Sequence, residues 1–298
     1  MLHRRPCRTY PRKGHSGLLG GNLERVTTKA NASGQRPAIL LIAYGSCAAR
    51  GLGVLHDFEN RVRERYPGFP VRWAYTSDRI RSRLALQVRR KSDSVVKAIR
   101  RLVLERFGPI IAQPLQIVPA TENEVVEGLT QTVSRELGVS VSVGAPLLAS
   151  IEDVHLCASA MLSHLPEARL MHEDVVFVGH GASHEAQARY ASLSRLLAAF
   201  DPFVHVATLS GDMPLQGILP NLSSKRVFLV PFLSSVGKHT LEDIAGEGPD
   251  SLKTFLEDRG HACVALKEGV LQHKAYADIW LSHLDTAMAR LGTGLQAG

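Results

Sequence analysis

Cysteine is scarce in this chain, and its few copies lie far apart. The 298 residues include four cysteines, Cys7, Cys47, Cys157 and Cys263, and no two of them form the CxxC pair of a zinc ribbon or redox motif. This usage argues against a disulfide framework of the kind that stabilises small secreted domains, and it predicts a reducing compartment.

Long apolar runs are also missing. No stretch approaches the ~18 consecutive apolar residues of a membrane helix, so we expect no membrane partner. Residues 1–36 begin with basic residues but contain no continuous apolar segment of the kind found in a secretory signal. We interpret 1–36 as a disordered basic tail, or an extension upstream of the true start, and we predict a cytoplasmic protein.

Aromatic side chains make up only 6% of the sequence, and they do not interleave with its basic clusters. The formal net charge of +7 gathers in the N-terminal tail and at Arg79–Lys91. A groove for single-stranded nucleic acid combines cations with stacking rings, so we expect no nucleic-acid partner. A small substrate with several carboxylates also favours a basic protein, because guanidinium pairs bidentately with carboxylate. A solvated basic face is an equally good interpretation.

Strands alternate with helices beyond the tail, in a chain of ordinary globular composition that is 45% hydrophobic and 21% charged. Apolar runs indicate strands at 38–43, 71–75, 109–118 and 139–143, and then again at 175–178, 204–208, 227–232 and 262–266. This alternation predicts α/β architecture with parallel sheets. We expect two similar α/β domains, 37–150 and 151–298, with the active-site cleft between them. Thr121 and Glu124 also predict a capping box.

The segment Val175–Glu185, VVFVGHGASHE, carries the sharpest local signal. A buried strand ends at Gly179, and His180 follows, flanked by glycines, in a tight turn into a helix. Ligands of open α/β sheets bind at the carboxyl ends of the strands, and glycine lets a ligand approach the backbone closely. His180 is therefore a candidate site residue, although a histidine that only satisfies a turn fits the same pattern.

The two halves of the chain repeat each other. AILLIAYGS resembles VVFVGHGAS, with Tyr44 and Gly45 opposite His180 and Gly181. AQPLQIVPATENEVV resembles LVPFLSSVGKHTLED when Pro114 is aligned with Pro231, and this register places Glu122 opposite His239. If the two units face each other across a pseudo-twofold axis, these side chains converge on one cleft. Chance likeness between α/β units is the alternative.

Two histidines and a carboxylate form a ligand set for a first-row transition metal, whereas imidazole suits Mg or Ca poorly. The spacing is not that of HExxH, so the chain is not a zincin. His180, His239 and Glu122 could instead act as general bases. The GHG triplet differs from the RHG motif of histidine phosphatases, because Gly179 stands where an arginine would hold phosphate.

The chain resembles the class II tetrapyrrole chelatases, and most closely their CbiK family. The resemblance spans roughly Pro37 to Leu291, and GHGASH and GKHTLEDIAG are its most specific segments. The segments that carry it are ILLIAYGS at 39–46, AYTSDRIRSRL at 74–84, PLQIVPATENE at 114–124, GAPLLAS at 144–150, VVFVGHGASHEA at 175–186 and VPFLSSVGKHTLEDIAGE at 230–247.

The resemblance implies insertion of Co2+ into sirohydrochlorin, or a precorrin-2-type tetrapyrrole, without ATP or an organic cofactor, on the way to cobalamin. It implies His180 and His239 as metal ligands and Glu122 as an active-site carboxylate, with these residues also catalytic. The partners are then the tetrapyrrole and a divalent metal, and homo-oligomers are compatible with this. The substrate-binding residues we predict are Tyr44, Gly45, Ser46, Arg79 and Ser210.

Two positions depart from the family pattern. Ser210 stands where a metal-facing glutamate is common, with Asp212 two residues later, and Gln116 stands where a histidine is frequent. The resemblance therefore implies that His180 and His239 coordinate the metal together with either Glu122 or Asp212.

The implied reaction removes two pyrrole N–H protons as the metal enters, and neutral imidazole can accept a proton at physiological pH. We predict that the two histidines present the metal while one of them, with Glu122, takes up protons. Arg79, Arg81 and Arg83 are candidate partners of the substrate carboxylates. Two alternatives remain: a ferrochelatase using Fe2+, since both metals suit the same ligands, and a non-catalytic tetrapyrrole or metal carrier, favoured by the missing glutamate at Ser210.

Overall fold

A computed structural model describes residues 36–87, 92–182 and 184–291, except for the side chains of 184 and 185. The predicted tail, apart from Arg36, lies outside these residues, and so do 88–91 of the basic cluster. In the described ranges Cys47, Cys157 and Cys263 are free thiols. No helix within those ranges combines the length and apolar character needed to cross a bilayer.

The first half forms a four-stranded parallel sheet. Its strands are β1 (Arg36–Ala43), β2 (Val71–Tyr75), β3 (Phe107–Pro114) and β4 (Val141–Val143), in the order β2-β1-β3-β4. The run 38–43 of β1 is buried throughout, which explains why this strand is continuously apolar rather than alternating.

The second half repeats this sheet. Its strands are β5 (Asp174–Gly179), β6 (Val204–Thr208), β7 (Arg226–Pro231) and β8 (Ala262–Ala265), in the order β6-β5-β7-β8. All three pairings are parallel. The prediction of two similar α/β units with parallel sheets is therefore confirmed.

Helices connect the strands, and one predicted signal at a helix start was wrong. The helices are α1 (Ala49–Arg65), α2 (Asp78–Gln87), α3 (Val95–Leu104), α4 (Thr121–Leu137), α5 (Ile151–Ser163), α6 (His184–Phe200), α7 (Leu215–Ile218), α8 (Leu252–Glu257) and α9 (Lys274–Arg290). A π-helical segment spans His239–Ile244, and 3-10 turns span Leu219–Asn221 and Val270–Gln272. Thr121 does not form the capping box with Glu124, because Thr121 is already helical and Ala120 is the cap.

One buried apolar cluster includes residues of both halves. Ile39 and Leu41 of β1 belong to the same buried cluster as Val175 and Phe177 of β5, together with side chains from α1, α5, α6 and α9. Helix α9, which our division places in the C-terminal half, packs against β3 and β4 of the first sheet. The Arg290 guanidinium donates to the Val143 carbonyl at 3.1 Å. The two units are therefore interlocked rather than merely adjacent.

Equivalent hydrogen bonds at the carboxyl edge of each sheet show how the repeat is aligned. The Thr76 amide donates to the Ala43 carbonyl at 2.9 Å, and the Leu209 amide donates to the Gly179 carbonyl at 2.9 Å. Ala43 is thus equivalent to Gly179, so the next residue, Tyr44, is equivalent to His180.

A second pair of hydrogen bonds sets the register of the third strand in each half. The Leu115 amide donates to the Ile42 carbonyl at 2.8 Å, and the Phe232 amide donates to the Val178 carbonyl at 2.7 Å. Counting onward from Leu115 and Phe232 makes Glu122 equivalent to His239. This register agrees with the alignment of the repeat proposed from the sequence.

Candidate metal-chelation site

The turn that carries His180 requires both of its glycines. A Cβ on Gly179 would lie 2.5 Å from the ring of Tyr190, which packs beneath the turn. Gly181 has φ +95°, and a Cβ there would lie 1.9 Å from the Ser210 carbonyl oxygen. Burial raises the pKa of Tyr190 well above its usual range, so this phenol remains a neutral support.

Ser210 holds this turn from the neighbouring strand. Its amide and its Oγ both donate to the His180 carbonyl, at 3.0 Å and 2.9 Å. The Thr208 hydroxyl in turn donates to the Ser210 carbonyl at 2.7 Å. Ser210 therefore orients the backbone of His180, and Asp212 is exposed on the same loop.

His239 begins the π-helical segment. Thr240 and Ile244 are fully buried and anchor one face of this segment in the protein. His239 and Asp243, each one residue earlier, share the adjacent face. Nδ1 of His239 lies 2.5 Å from Oδ2 of Asp243, and the two side chains are about half exposed and one-third exposed. The histidine is thus accessible and held by a carboxylate.

The structure brings the two predicted histidines together. The ring centroids of His180 and His239 lie 4.8 Å apart, with the ring planes at 79°. The first follows β5 and the second follows the loop after β7, so they meet at the carboxyl edge of the second sheet. Two accessible imidazoles at this distance can share one transition-metal ion.

Glu122 does not join the histidines in a cluster of three. Within 36–87, 92–182 and 184–291, no three His, Cys, Asp or Glu side chains form a group that could hold a metal ion. The Glu122 carboxylate instead accepts a hydrogen bond from the hydroxyl of Thr76, on its own half. The expected set of His180, His239 and Glu122 is therefore assembled only as the histidine pair.

Arg81 supports the turn that carries Thr76. Its guanidinium donates to the Thr76 carbonyl at 3.0 Å, and also to the Tyr75 carbonyl and the Asp78 carboxylate. Arg79 and Arg83 are exposed on the same helix. Of the three predicted carboxylate partners, Arg81 is thus engaged within the protein, whereas the other two face solvent.

The loop after β1 makes contact with the other half. Tyr44 is 55% exposed, and Gly45 has φ +100°, matching Gly181 in the equivalent turn. Ser46 is buried, and its Oγ donates to the Val236 carbonyl at 2.7 Å. This hydrogen bond brings the loop of Tyr44 next to the loop that leads to His239. A role of Ser46 in binding substrate stays a prediction, since its hydroxyl joins the halves.

Two features near the site were missed by the sequence analysis. Asp243 follows His239 at an i, i+4 spacing that could have marked it as a partner. Thr76 gave no such signal, because it meets Glu122 only through the fold. Gln116, singled out above, has a buried side-chain amide with no hydrogen-bond partner in the part of the chain that the structure describes.

Two solved structures of the chelatase SirB share this architecture. SirB from Bacillus subtilis with Fe3+ has a TM-score of 0.58 at 17% identity, covering 88% of this chain and 99% of SirB. The sirohydrochlorin chelatase SirB from Bacillus subtilis subspecies spizizenii in complex with cobalt has a TM-score of 0.59 at 15% identity, covering 86% and 97%. The fold is therefore the chelatase fold.

Sequence similarity narrows this class to one family. Residues 37–289 match the family described as cobalt chelatase (CbiK), and the chain belongs to this family. Sirohydrochlorin cobaltochelatase CbiKC of Nitratidesulfovibrio vulgaris is 40% identical over 275 residues, 91% of this chain and 97% of that protein. The sirohydrochlorin cobaltochelatase of Salmonella typhimurium is 27% identical over 218 residues, 72% and 82% of the two chains. The resemblance inferred from the motifs is confirmed.

Proposed function

We propose that this protein is a sirohydrochlorin cobaltochelatase, which inserts Co2+ into sirohydrochlorin without ATP or an organic cofactor. The observation that carries the proposal is the pair of accessible histidines, His180 and His239, with ring centroids 4.8 Å apart. The chain also shares 40% identity with a protein of that name, over nearly the whole of both chains.

The pair suits a metal that must be released. Imidazole binds Co2+ and Fe2+ well, and two protein ligands leave several coordination positions open for the macrocycle. Glu122 or Asp212 would complete the set of three as the metal is handed over. In the overall reaction the macrocycle gains the metal and loses two N–H protons, so charge balances.

The same residues supply the proton acceptors. One histidine and Glu122, which Thr76 holds across the edge of the first sheet, take up the two pyrrole protons. Arg79 and Arg83 are exposed and can pair with substrate carboxylates. Tyr44 and Gly45 line the same edge and contact the macrocycle.

Sparse cysteine, with free thiols at Cys47, Cys157 and Cys263, supports a cytoplasmic location.

A carrier that binds metal and tetrapyrrole without catalysis is the second candidate. It is favoured by Ser210, which donates to the His180 carbonyl and presents no carboxylate to the metal. A ferrochelatase would use the same ligands, and a rate comparison separates the two metals.

The test follows metal insertion into sirohydrochlorin by its visible absorbance change, anaerobically, with Co2+ and Fe2+ in turn. We expect the wild-type chain to accelerate Co2+ insertion and His239→Ala to abolish the acceleration. His56→Ala, which removes an exposed surface histidine on α1, is the control and should keep the wild-type rate. Faster insertion of Fe2+ would identify a ferrochelatase, and binding of metal and sirohydrochlorin without acceleration would identify a carrier.

A further inference from the structure

We propose that Asp243 is the positioning residue of this site and that it selects Nε2 of His239 as the metal-binding nitrogen. The inference rests on the proposed function for its chemistry, but the contact between Asp243 and His239 does not depend on that function. Nδ1 of His239 lies 2.5 Å from Oδ2 of Asp243. A carboxylate accepts hydrogen bonds, so Nδ1 carries the proton, and the lone pair is left on Nε2.

The local fold explains why this pairing forms. In the π-helical segment the Ala245 amide donates to the Thr240 carbonyl at 3.1 Å, an i to i+5 hydrogen bond. Wide turns of this kind are frequent at functional sites. Burial of Thr240 and Ile244 anchors one face of the segment, and His239 and Asp243 lie on the face next to His180.

The two histidines differ in how they are held. Nδ1 of His180 lies 3.4 Å from the Gly181 carbonyl, and the Ser210 bonds fix only its backbone. Among the side chains that the structure describes, no carboxylate is bonded to His180. The ring of His239 is therefore set in one tautomer and one orientation before metal arrives, whereas the ring of His180 adjusts to the metal.

The same segment offers a matched control. Glu242 precedes Asp243 and is exposed, with Oε2 3.9 Å from Nζ of Lys238. Glu242→Gln removes the same charge from the same segment without touching either histidine. Asp243→Asn keeps the size of the side chain but adds an amide group that can donate to Nδ1, and Asp243→Glu restores a carboxylate.

The first measurement is NMR of the full chain labelled with 15N-histidine, without metal, at a pH where the free ring is neutral. Long-range correlations between ring protons and nitrogens report the tautomer. We expect the Nδ1–H form of His239 in wild type and in Glu242→Gln, and a mixture of both tautomers in Asp243→Asn. The wild-type tautomer in Asp243→Asn would overturn the inference.

The second measurement is Co2+ binding to the metal-free chain, followed by visible absorbance. Loss of a carboxylate that orients a metal-binding histidine typically lowers metal affinity about 10- to 100-fold, and we expect this for Asp243→Asn, with partial recovery in Asp243→Glu. We expect a lower kcat for insertion and an unchanged KM for sirohydrochlorin. An unchanged Co2+ affinity in Asp243→Asn, or an equal loss in Glu242→Gln, would overturn the inference.

These readouts separate the two proposals. If wild type does not insert metal but Asp243→Asn still changes the tautomer and weakens Co2+ binding, only the proposed function fails. If wild type inserts metal and Asp243→Asn keeps the wild-type tautomer and affinity, only the role of Asp243 fails.

Discussion

The two halves of the molecule share a backbone and differ in the side chains at its edge. Both sheets have the same strand order, and both carry a left-handed glycine after the first strand, Gly45 and Gly181. At equivalent positions one half presents Tyr44 and Glu122, and the other presents His180 and His239. We therefore propose that the second half binds the metal, while the first half provides groups for the macrocycle and its protons.

Removing either histidine should have the largest effect and the clearest difference from the equivalent substitutions in the other half. His180→Ala and His239→Ala should each lower the chelatase rate more than about 100-fold, since losing only an outer partner of a ligand costs 10- to 100-fold. Their equivalents, Tyr44→Ala and Glu122→Ala, should leave Co2+ affinity without sirohydrochlorin unchanged. Titration of the metal-free chain with Co2+ measures this. Equal losses of affinity in both halves would contradict the asymmetry.

The equivalent glycines should respond unequally to alanine. Left-handed backbone costs an L-residue about 1–2 kcal/mol, so Gly45→Ala should lose about that much free energy of unfolding. There the new Cβ meets side-chain atoms, Ile80 Cγ2 at 2.8 Å and the Tyr75 ring at 3.1 Å. At Gly181 it meets the Ser210 carbonyl at 1.9 Å, which is backbone, so the loss should be larger. Urea denaturation of both variants gives the two free energies of unfolding. Equal losses in Gly45→Ala and Gly181→Ala would show that the two turns accommodate a Cβ equally well.

The opposite edge of the sheets should differ in acid sensitivity. Asp174 starts β5 and is fully buried, whereas the equivalent residue of β1 is Ala38. Burial acts to raise the pKa of Asp174, but hydrogen bonds from His205 and two serine residues outweigh it and hold the pKa below its usual range.

A lowered pKa in the folded state fixes the sign of this effect. Asp174 contributes stability above the pKa of the unfolded chain, about 3.9, and the contribution is lost as pH falls through the lower folded value. Asp174→Asn should therefore cost about 1–3 kcal/mol at neutral pH, because buried donors lose their acceptor. The difference in free energy of unfolding between Asp174→Asn and wild type should disappear at acidic pH. If urea denaturation gave the same difference at every pH, the predicted contribution of ionised Asp174 to stability would be refuted.

The smallest expected effect concerns two equivalent serines. Ser210 donates to the His180 carbonyl, and its counterpart Ser77 accepts from the Ile80 amide at 3.3 Å. Ser210→Ala leaves intact the hydrogen bond from the residue 210 amide to the His180 carbonyl. Removing the hydroxyl should cost about 0.5–1.5 kcal/mol in the positioning of His180, which corresponds to a kcat lower by roughly 2- to 10-fold. Ser77→Ala is the control and should not change the rate. A larger fall in kcat for Ser77→Ala than for Ser210→Ala would show that the rate depends on the loop of the first half instead.

Much of the fold was predictable from local patterns. The apolar runs of β1 and β5 identified buried parallel strands, because both faces of such strands are covered. The helix start at Thr121 was misjudged as a capping box, since the cap is the last residue before the helix, and that residue is Ala120, whose backbone is still extended. The placement of α9 against β3 and β4 was also not visible, because packing between distant segments leaves no periodic signal in either one.

The sequence by itself determined the alternation of strands and helices, the register of the repeat and the two histidines, because each of these is written in residues close along the chain. The tertiary structure alone decided that Ser46 would bind the Val236 carbonyl, that Thr76 would donate a hydrogen bond to Glu122, and that the rings of His180 and His239 would meet. Those contacts join residues far apart along the chain, and only the packing of two sheets on one core sets their distances.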